Sequence, residues 1–205
     1  MFVSMCFVLL IHFIVGLFGI ENNPVCSSVY NIAAEYTLNV DYMSKYLIKG
    51  NELFEYETII EPKLSWNNIS TTKCYTIIMV DPDSPSSINP SESQWLHWFV
   101  SNQIRNDNNT ILNEGNIKKG YLNPHPLLNT GYHRYCLYVF EQHECNRKYS
   151  NELENKLINQ RNNYNLMNEL IDYNNDILIS DNYFIMRTTE SPSNTPTNNP
   201  TIYPT

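Results

Sequence analysis

The sequence predicts a mainly β domain with a C-terminal helix and no βαβ repeat. Three continuous apolar runs, at 74–80, 95–100 and 135–140, are rich in β-branched and aromatic residues, as is typical of buried strands. Between residues 151 and 173 the apolar side chains recur every three or four positions, which predicts one or two amphipathic helices. Strands followed by helix predict a sheet-based fold rather than alternating strands and helices.

The other predicted elements are shorter. Residues 35–40 and 55–60 alternate or run apolar and predict two strands, and 62–66 predicts a short extended piece. The first long run ends at the motif Asp81-Pro82-Asp83-Ser84-Pro85, because proline cannot donate to a sheet ladder. Residues 176–186 predict a short strand that closes the domain.

Two segments of different composition flank the domain, which is predicted to span residues 24–187. Residues 1–20 are nearly all apolar and predict a secretory signal peptide, with an uncleaved signal anchor in the membrane as the alternative. Residues 188–205 are rich in Thr, Pro and Asn and are predicted to be disordered. We therefore expect the protein in the secretory pathway or outside the cell.

Cysteine usage agrees with secretion. Four cysteines follow the apolar segment and allow three pairings: Cys26, Cys74, Cys136 and Cys145. One or two disulfides are expected in an oxidising compartment, although Cys74 and Cys136 also suit reduced core positions within strands. Asn68 and Asn108 begin N-glycosylation sequons in polar stretches, a second feature of secreted proteins.

The charge balance limits the possible partners. The chain has 205 residues with 21 acidic and 13 basic side chains, which gives a formal net charge of -8. An acidic protein is not attracted in bulk to nucleic acid or to an anionic membrane. We therefore expect no nucleic-acid partner, and an anion-binding site in this chain must be a local cluster.

Polar side chains gather at the predicted long strands. Asp81 and Asp83 follow the first, His97 lies inside the second, and His133 with Arg134 opens the third. A metal site is one interpretation, but no two histidines share a ligand spacing on one element. Hydrolysis is another, but no Ser or Cys stands in a nucleophile-elbow context. We favour the third, anion binding by histidines that aspartates orient, without metal, cofactor or catalysis.

Four motifs occur in order along the domain: Asp81-Pro82-Asp83-Ser84-Pro85, Gln94-Trp95-Leu96-His97-Trp98, Tyr121-x-x-Pro124-x-Pro126 and Thr130-Gly131-Tyr132-His133-Arg134-Tyr135. Together they resemble the phosphatidylethanolamine-binding protein family, which includes the Raf kinase inhibitor protein and a carboxypeptidase Y inhibitor. The resemblance implies a β-sandwich with a large central antiparallel sheet, a smaller second sheet and a C-terminal helix. It also implies a pocket for phosphate-like anions and phospholipid headgroups.

The resemblance implies these ligand-binding residues: Asp81, Asp83, Pro85, Trp95, His97, Pro124, Gly131, His133, Tyr135 and Phe184. Within this set, Trp95 and Phe184 are expected at the rim of the pocket. Cis peptide bonds are implied between Ser84 and Pro85 and immediately before Gln94. Arg134 is expected to pair with a carboxylate and brace the sheet rather than contact the ligand.

The function we expect is non-catalytic binding of a phospholipid headgroup or a small phosphate anion by a monomer. Since imidazoles gain charge on acidification, anion binding should tighten as the pH falls from about 8 to about 5. The alternative is a protease or kinase regulator that acts through its surface and keeps a vestigial pocket. A secreted domain would not meet a cytosolic kinase. His125 departs from the family pattern and adds a titratable group to the pocket-side loop.

Overall fold

The computed structural model describes most of the predicted domain. The described residues are 26, 36–43, 45–67, 69–104, 115–165, 170–171 and 174–189. The predicted signal segment, nearly all of the predicted tail and the sequon residues Asn68 and Asn108 lie outside them. No helix within these ranges is both long and apolar enough to cross a membrane.

Two sheets and a helix make up the described fold. The strands are β1 (Tyr36–Thr37), β2 (Asn39–Tyr42), β3 (Lys45–Tyr46), β4 (Lys63–Ser65), β5 (Tyr75–Asp81), β6 (Trp95–Gln103), β7 (Asn116–Lys119), β8 (His133–Glu141) and β9 (Ile177–Met186). A 3-10 turn lies at Glu55–Glu57, and helix α1 spans Asn151–Asn159. The strand order is β1-β9-β8-β5-β6-β7 in the large sheet and β3-β2-β4 in the small one.

The large sheet follows the prediction with one difference. Its strands pair antiparallel from β9 through β7, whereas β1 lies parallel to β9 at the edge. These two strands come from opposite ends of the domain, so no hairpin imposes an antiparallel direction on them. The large sheet is therefore mixed, and the predicted smaller second sheet is confirmed.

The large sheet is covered on both faces, because side chains alternate along each strand. All seven residues of β5 are buried. Ile77 and Met79 belong to a core shared with the small sheet, whereas Ile78 and Val80 face a second core that includes Leu153 of α1. The layers therefore follow the order small sheet, large sheet, helix.

Three elements differ from the prediction. Residues 55–60 form a 3-10 turn and bends, so the predicted strand is wrong. Ile59 and Ile60 are 61% and 53% exposed, and only Thr58 of this segment is buried, so the segment lacks the buried face that a strand needs. The polar edge strand β7 was not predicted, since it has no apolar pattern. Helix α1 is shorter than the predicted helical region, and most of 166–173 lies outside the described residues.

Two disulfides connect the large sheet to distant segments. Cys26 is bonded to Cys136 in β8, and Cys74 is bonded to Cys145, which selects one of the three pairings. The Cα atoms lie 5.7 Å and 5.5 Å apart, within the ordinary range for disulfides. The alternative that Cys74 and Cys136 are reduced core residues is therefore wrong.

Candidate functional site

The candidate site forms where the end of β5 meets the start of β8. These strands pair antiparallel, with Val80 opposite Cys136, which brings Asp81 to His133. The Nδ1 atom of His133 lies 2.7 Å from Oδ2 of Asp81, and both side chains are almost fully buried. The Oδ1 atom of Asp81 accepts a hydrogen bond of 2.7 Å from the backbone N–H of Asp83. Both carboxylate oxygens of Asp81 are therefore fixed.

The second nitrogen of His133 contacts a hydroxyl group. Its Nε2 atom lies 3.0 Å from Oγ1 of Thr130, and Thr130 donates its own hydrogen to the carbonyl of Leu127 at 2.7 Å. Both ring nitrogens of His133 therefore face oxygen acceptors. These two contacts fix the orientation of the His133 ring in the site.

The neighbouring strand β6 presents His97. Its Nδ1 atom donates to the carbonyl of Leu122 at 2.7 Å, and its own carbonyl accepts from the N–H of Leu122 at 2.9 Å. These bonds leave Nε2 as the ring nitrogen that can meet a ligand. Burial lowers the pKa of His97, and the charges of Arg161 and His133 act in the same direction, so the ring is neutral near pH 7.

Aromatic side chains support this site. The ring of Tyr135 packs edge-on against His97, with centroids 5.2 Å apart, and stacks on Phe184 at 5.1 Å. Burial raises the pKa of Tyr135, and the charge of Asp81 raises it further, so the phenol stays protonated and can donate. Phe184 is fully buried beneath Tyr135, so its predicted position at the rim is wrong.

A pocket of about 550 Å³ opens above these side chains. Six of the ten predicted ligand-binding residues line it: Asp81, Pro85, Trp95, His97, His133 and Tyr135. The structure adds further lining residues: Glu55, Ser84, Glu92, Leu122, Asn123, His125, Pro126 and Leu127. The peptide bonds before Pro85 and Gln94 are cis, as predicted. All four sequence motifs contribute to the walls, and the ligand-binding role of these residues stays a prediction.

Besides Phe184, three predicted residues lie outside the pocket walls. Asp83 accepts hydrogen bonds from the backbone N–H of Arg134 (2.9 Å) and from its Nε and Nη2 atoms (2.7 Å each), so Arg134 pairs with a carboxylate as predicted. Gly131 has φ +83°, and a Cβ there would lie 2.3 Å from Oγ of Ser87. Glycine at that position therefore serves loop packing. Pro124 is buried in its loop.

The exposed side of the pocket carries carboxylates. Glu55 and Glu92 line it, and Oε1 of Glu55 lies 2.9 Å from Nδ1 of His125. Both partners of this pair are more than half exposed, so the pair contributes little stability. No sequence signal predicted it, because Glu55 belongs to the segment that was predicted as a strand.

The arrangement suits a ligand rich in hydrogen-bond acceptors. Tyr135 supplies a hydroxyl donor, and Nε2 of His97 becomes a charged donor when the ring binds a proton, whereas both nitrogens of His133 already contact protein oxygens. Within the described ranges, no three His, Cys, Asp or Glu side chains converge to hold a metal ion. The fold and the pocket together define a β-sandwich domain with a candidate site at the ends of its central strands.

The chain belongs to the phosphatidylethanolamine-binding protein family, whose profile matches residues 31–175. Its relatives include the 26 kDa secreted antigen of Toxocara canis, 36% identical over 93 residues, and the putative odorant-binding protein A5 of Drosophila melanogaster, 32% identical over 94 residues. The alignments cover 45% and 46% of this chain but only 34% and 42% of the relatives. The chain therefore matches less than half the length of these relatives.

Solved structures share the fold. A carboxypeptidase Y inhibitor, solved with its cognate proteinase, gives a TM-score of 0.66 at 21% identity, over 76% of this chain and 85% of the inhibitor. The phosphatidylethanolamine-binding protein of Plasmodium vivax gives 0.59 at 20% identity, over 78% and 88% of the two chains. At these identities the likeness concerns the fold alone, and the fold implied by the four motifs is confirmed.

Proposed function

We propose that the pocket binds a phosphate group without catalysis, either as a small anion or as part of a phospholipid headgroup. The observation that carries this proposal is the convergence of His97, His133 and Tyr135 in one pocket beside Asp81. Phosphate oxygens accept hydrogen bonds from charged imidazole and from phenol. Because these side chains are buried, such bonds are stronger than they would be at the surface.

Proton uptake at His97 links binding to pH. An anion beside Nε2 favours the charged ring, so the bound phosphate raises the pKa of His97 and the complex holds one more proton than the free protein. Affinity therefore increases as the pH falls. Because burial lowers the pKa of His97 in the free protein, we place the steepest change below about pH 6.5.

The carboxylates at the exposed side support a zwitterionic headgroup. Glu55 and Glu92 would repel a free phosphate, whereas an amine attached to the phosphate would meet them with opposite charge. Phosphorylethanolamine has this arrangement of charges. We therefore expect it to bind more tightly than inorganic phosphate.

The decisive experiment is a titration of the protein with inorganic phosphate and with phosphorylethanolamine, followed by NMR of the imidazole signals. We expect the signals of His97 and His133 to move and those of the exposed His143 to stay. His97→Gln should lower the affinity, and His143→Gln serves as the matched control. The absence of any response at millimolar ligand would overturn the proposal.

The hydrogen bonds favour binding over hydrolysis. Asp81, His133 and Thr130 have the contacts of an acid–base–nucleophile triad, with 2.7 Å and 3.0 Å separations. However, Thr130 donates its hydroxyl hydrogen to Leu127 rather than to the imidazole, so its oxygen is an acceptor here and not an activated nucleophile. Cleavage of a p-nitrophenyl ester that is lost in Thr130→Val would contradict this interpretation.

A protease regulator is the second candidate. The structural neighbour with the TM-score of 0.66 is a protease inhibitor, and the segment 54–60 beside the pocket exposes Phe54, Tyr56, Ile59 and Ile60. Exposed apolar clusters of this kind are typical of protein-binding surfaces. If inhibition of carboxypeptidase Y survives Asp81→Ala with His97→Ala but is lost in Tyr56→Ala, the surface and not the pocket is the functional feature.

We also propose that the protein is secreted. Two disulfides in the described fold and the secreted relative of Toxocara canis support an oxidising, extracellular location. The signal peptide at 1–20, the tail at 188–205 and the sequons at Asn68 and Asn108 remain proposals. Expression in a secreting eukaryotic cell, with N-terminal sequencing and enzymatic deglycosylation of the product, tests the signal peptide and the sequons. A product retained in the membrane fraction would favour the signal anchor.

A further inference from the structure

The segment that follows α1 lies against the strand that carries His97. The backbone N–H of Leu96 donates to the carbonyl of Arg161 at 2.6 Å, and the N–H of Tyr164 donates to the carbonyl of Gln94 at 3.2 Å. The chain after α1 is therefore fixed directly behind the pocket wall.

The guanidinium of Arg161 joins two chain segments around His97. Its Nη1 atom donates to the carbonyls of Leu96 (2.8 Å) and His97 (3.1 Å), and its Nη2 atom donates to the carbonyl of Gly120 (3.0 Å). Two residues beyond Gly120, Leu122 bonds both the ring and the backbone of His97. Arg161 therefore holds together the two segments whose spacing sets the direction of the His97 ring.

Arg161 has no carboxylate partner within the part of the chain that the structure describes. The other described arginines do: Arg134 pairs with Asp83, Arg147 with Asp176 and Arg187 with Glu52. Burial lowers the pKa of Arg161, but a guanidinium remains charged at any physiological pH. Among the described residues its positive charge therefore meets no paired carboxylate, although the protein carries a net charge of -8.

We propose that Arg161 is the positioning residue for His97 and the fixed positive charge behind the anion pocket. This inference rests on the proposed phosphate-binding function. In this role Arg161 does not touch the ligand. It aligns the Nε2 atom of His97 through three backbone carbonyls, and its charge lowers the free energy of an anion in the pocket.

The charge of Arg161 also acts on the titration of His97. The groups that face His97 are Asp81, which favours the charged ring, and His133 and Arg161, which disfavour it. Tyr135 packs on the ring and stays uncharged, because burial raises its pKa. Removal of the guanidinium charge should therefore raise the pKa of His97 in the protein without ligand.

The experiment compares Arg161→Gln with Arg161→Lys. Arg161→Gln should move the NMR titration of His97 to higher pH and weaken inorganic phosphate binding at pH 8 by about fivefold, as expected for the loss of one nearby charge. Arg161→Lys keeps the charge but loses the forked contacts. It should leave the titration of His97 in place and still weaken binding. Lys148→Gln, which removes a charge at an exposed position, is the matched control and should change neither.

Two results separate this inference from the proposed function. If the wild-type protein does not bind phosphate, the proposed function fails, whereas the titration of His97 without ligand still tests the charge effect. If Arg161→Gln leaves both the titration and the affinity unchanged, the role of Arg161 is structural only and the inference is wrong. If Arg161→Gln does not fold, an unchanged phosphate affinity in Arg161→Lys overturns the positioning role.

Discussion

Asp83→Ala would remove one half of the ion pair with Arg134, and the structure sets the size of the effect. Asp83 accepts three hydrogen bonds from Arg134, and the two side chains are only 3% and 14% exposed. Removing one partner of a buried ion pair costs about 3–5 kcal/mol. Because Arg134 keeps some contact with water, we expect the lower end, a loss of about 3 kcal/mol in the free energy of unfolding.

Urea unfolding at pH 7 measures this loss as a shift of the midpoint at constant slope. Asp83→Asn keeps the shape of the side chain but loses its charge, so we expect about half the effect. Glu144→Ala, at an exposed position, is the control and should change the free energy of unfolding by less than about 0.5 kcal/mol. A loss below about 1 kcal/mol for Asp83→Ala, the value of a surface pair, would refute the reasoning.

The Cys26–Cys136 disulfide, His97 and Phe184 provide further tests. Replacing both cysteines with serine should cost about 4–5 kcal/mol in urea, since the bond joins residues 110 positions apart; a loss near zero would contradict this. Because burial lowers the pKa of His97, the unfolded chain binds that proton first, so the Tm should fall as the pH drops below about 6.5. If the Tm of His97→Gln falls equally with pH, groups other than His97 cause the fall. Phe184→Ala should cost about 3–5 kcal/mol in urea, and unchanged phosphate binding would argue against its support of Tyr135.

The central strands could be predicted because a strand that is buried on both faces requires a mostly apolar run of residues in the sequence. The strands β5, β6 and β8 are nearly all buried, and mostly apolar runs occupy such positions. The segment 55–60 also contains a short apolar run like those of the central strands, yet its isoleucines face solvent. A short apolar run does not by itself show whether other elements of the fold will bury it. The edge strand β7 contains two lysines and has no apolar pattern that could predict it.

The site could be predicted in part, because four motifs of a known family mark its walls. The motifs located His97, His133 and Tyr135, but they did not separate the buried Asp83 from the pocket-lining Asp81. They also did not indicate Glu55, which reaches the pocket from a distant segment. Such contacts depend on how loops fold back on the sheet, and local spacing carries no information about that.

The two aspartates beside Pro82 also affect how selectivity could be redesigned. Asp81 contacts His133 in the pocket, whereas Asp83 holds Arg134 away from the pocket walls, so His133 and Arg134, adjacent residues of β8, contribute to the pocket and to the scaffold separately. A library that varies positions 81, 97 and 133 can therefore keep Asp83 and Arg134 constant. New ligand preferences could then be selected while this ion pair is kept, with the stability of each variant measured, because Asp81 and His133 form a second buried pair.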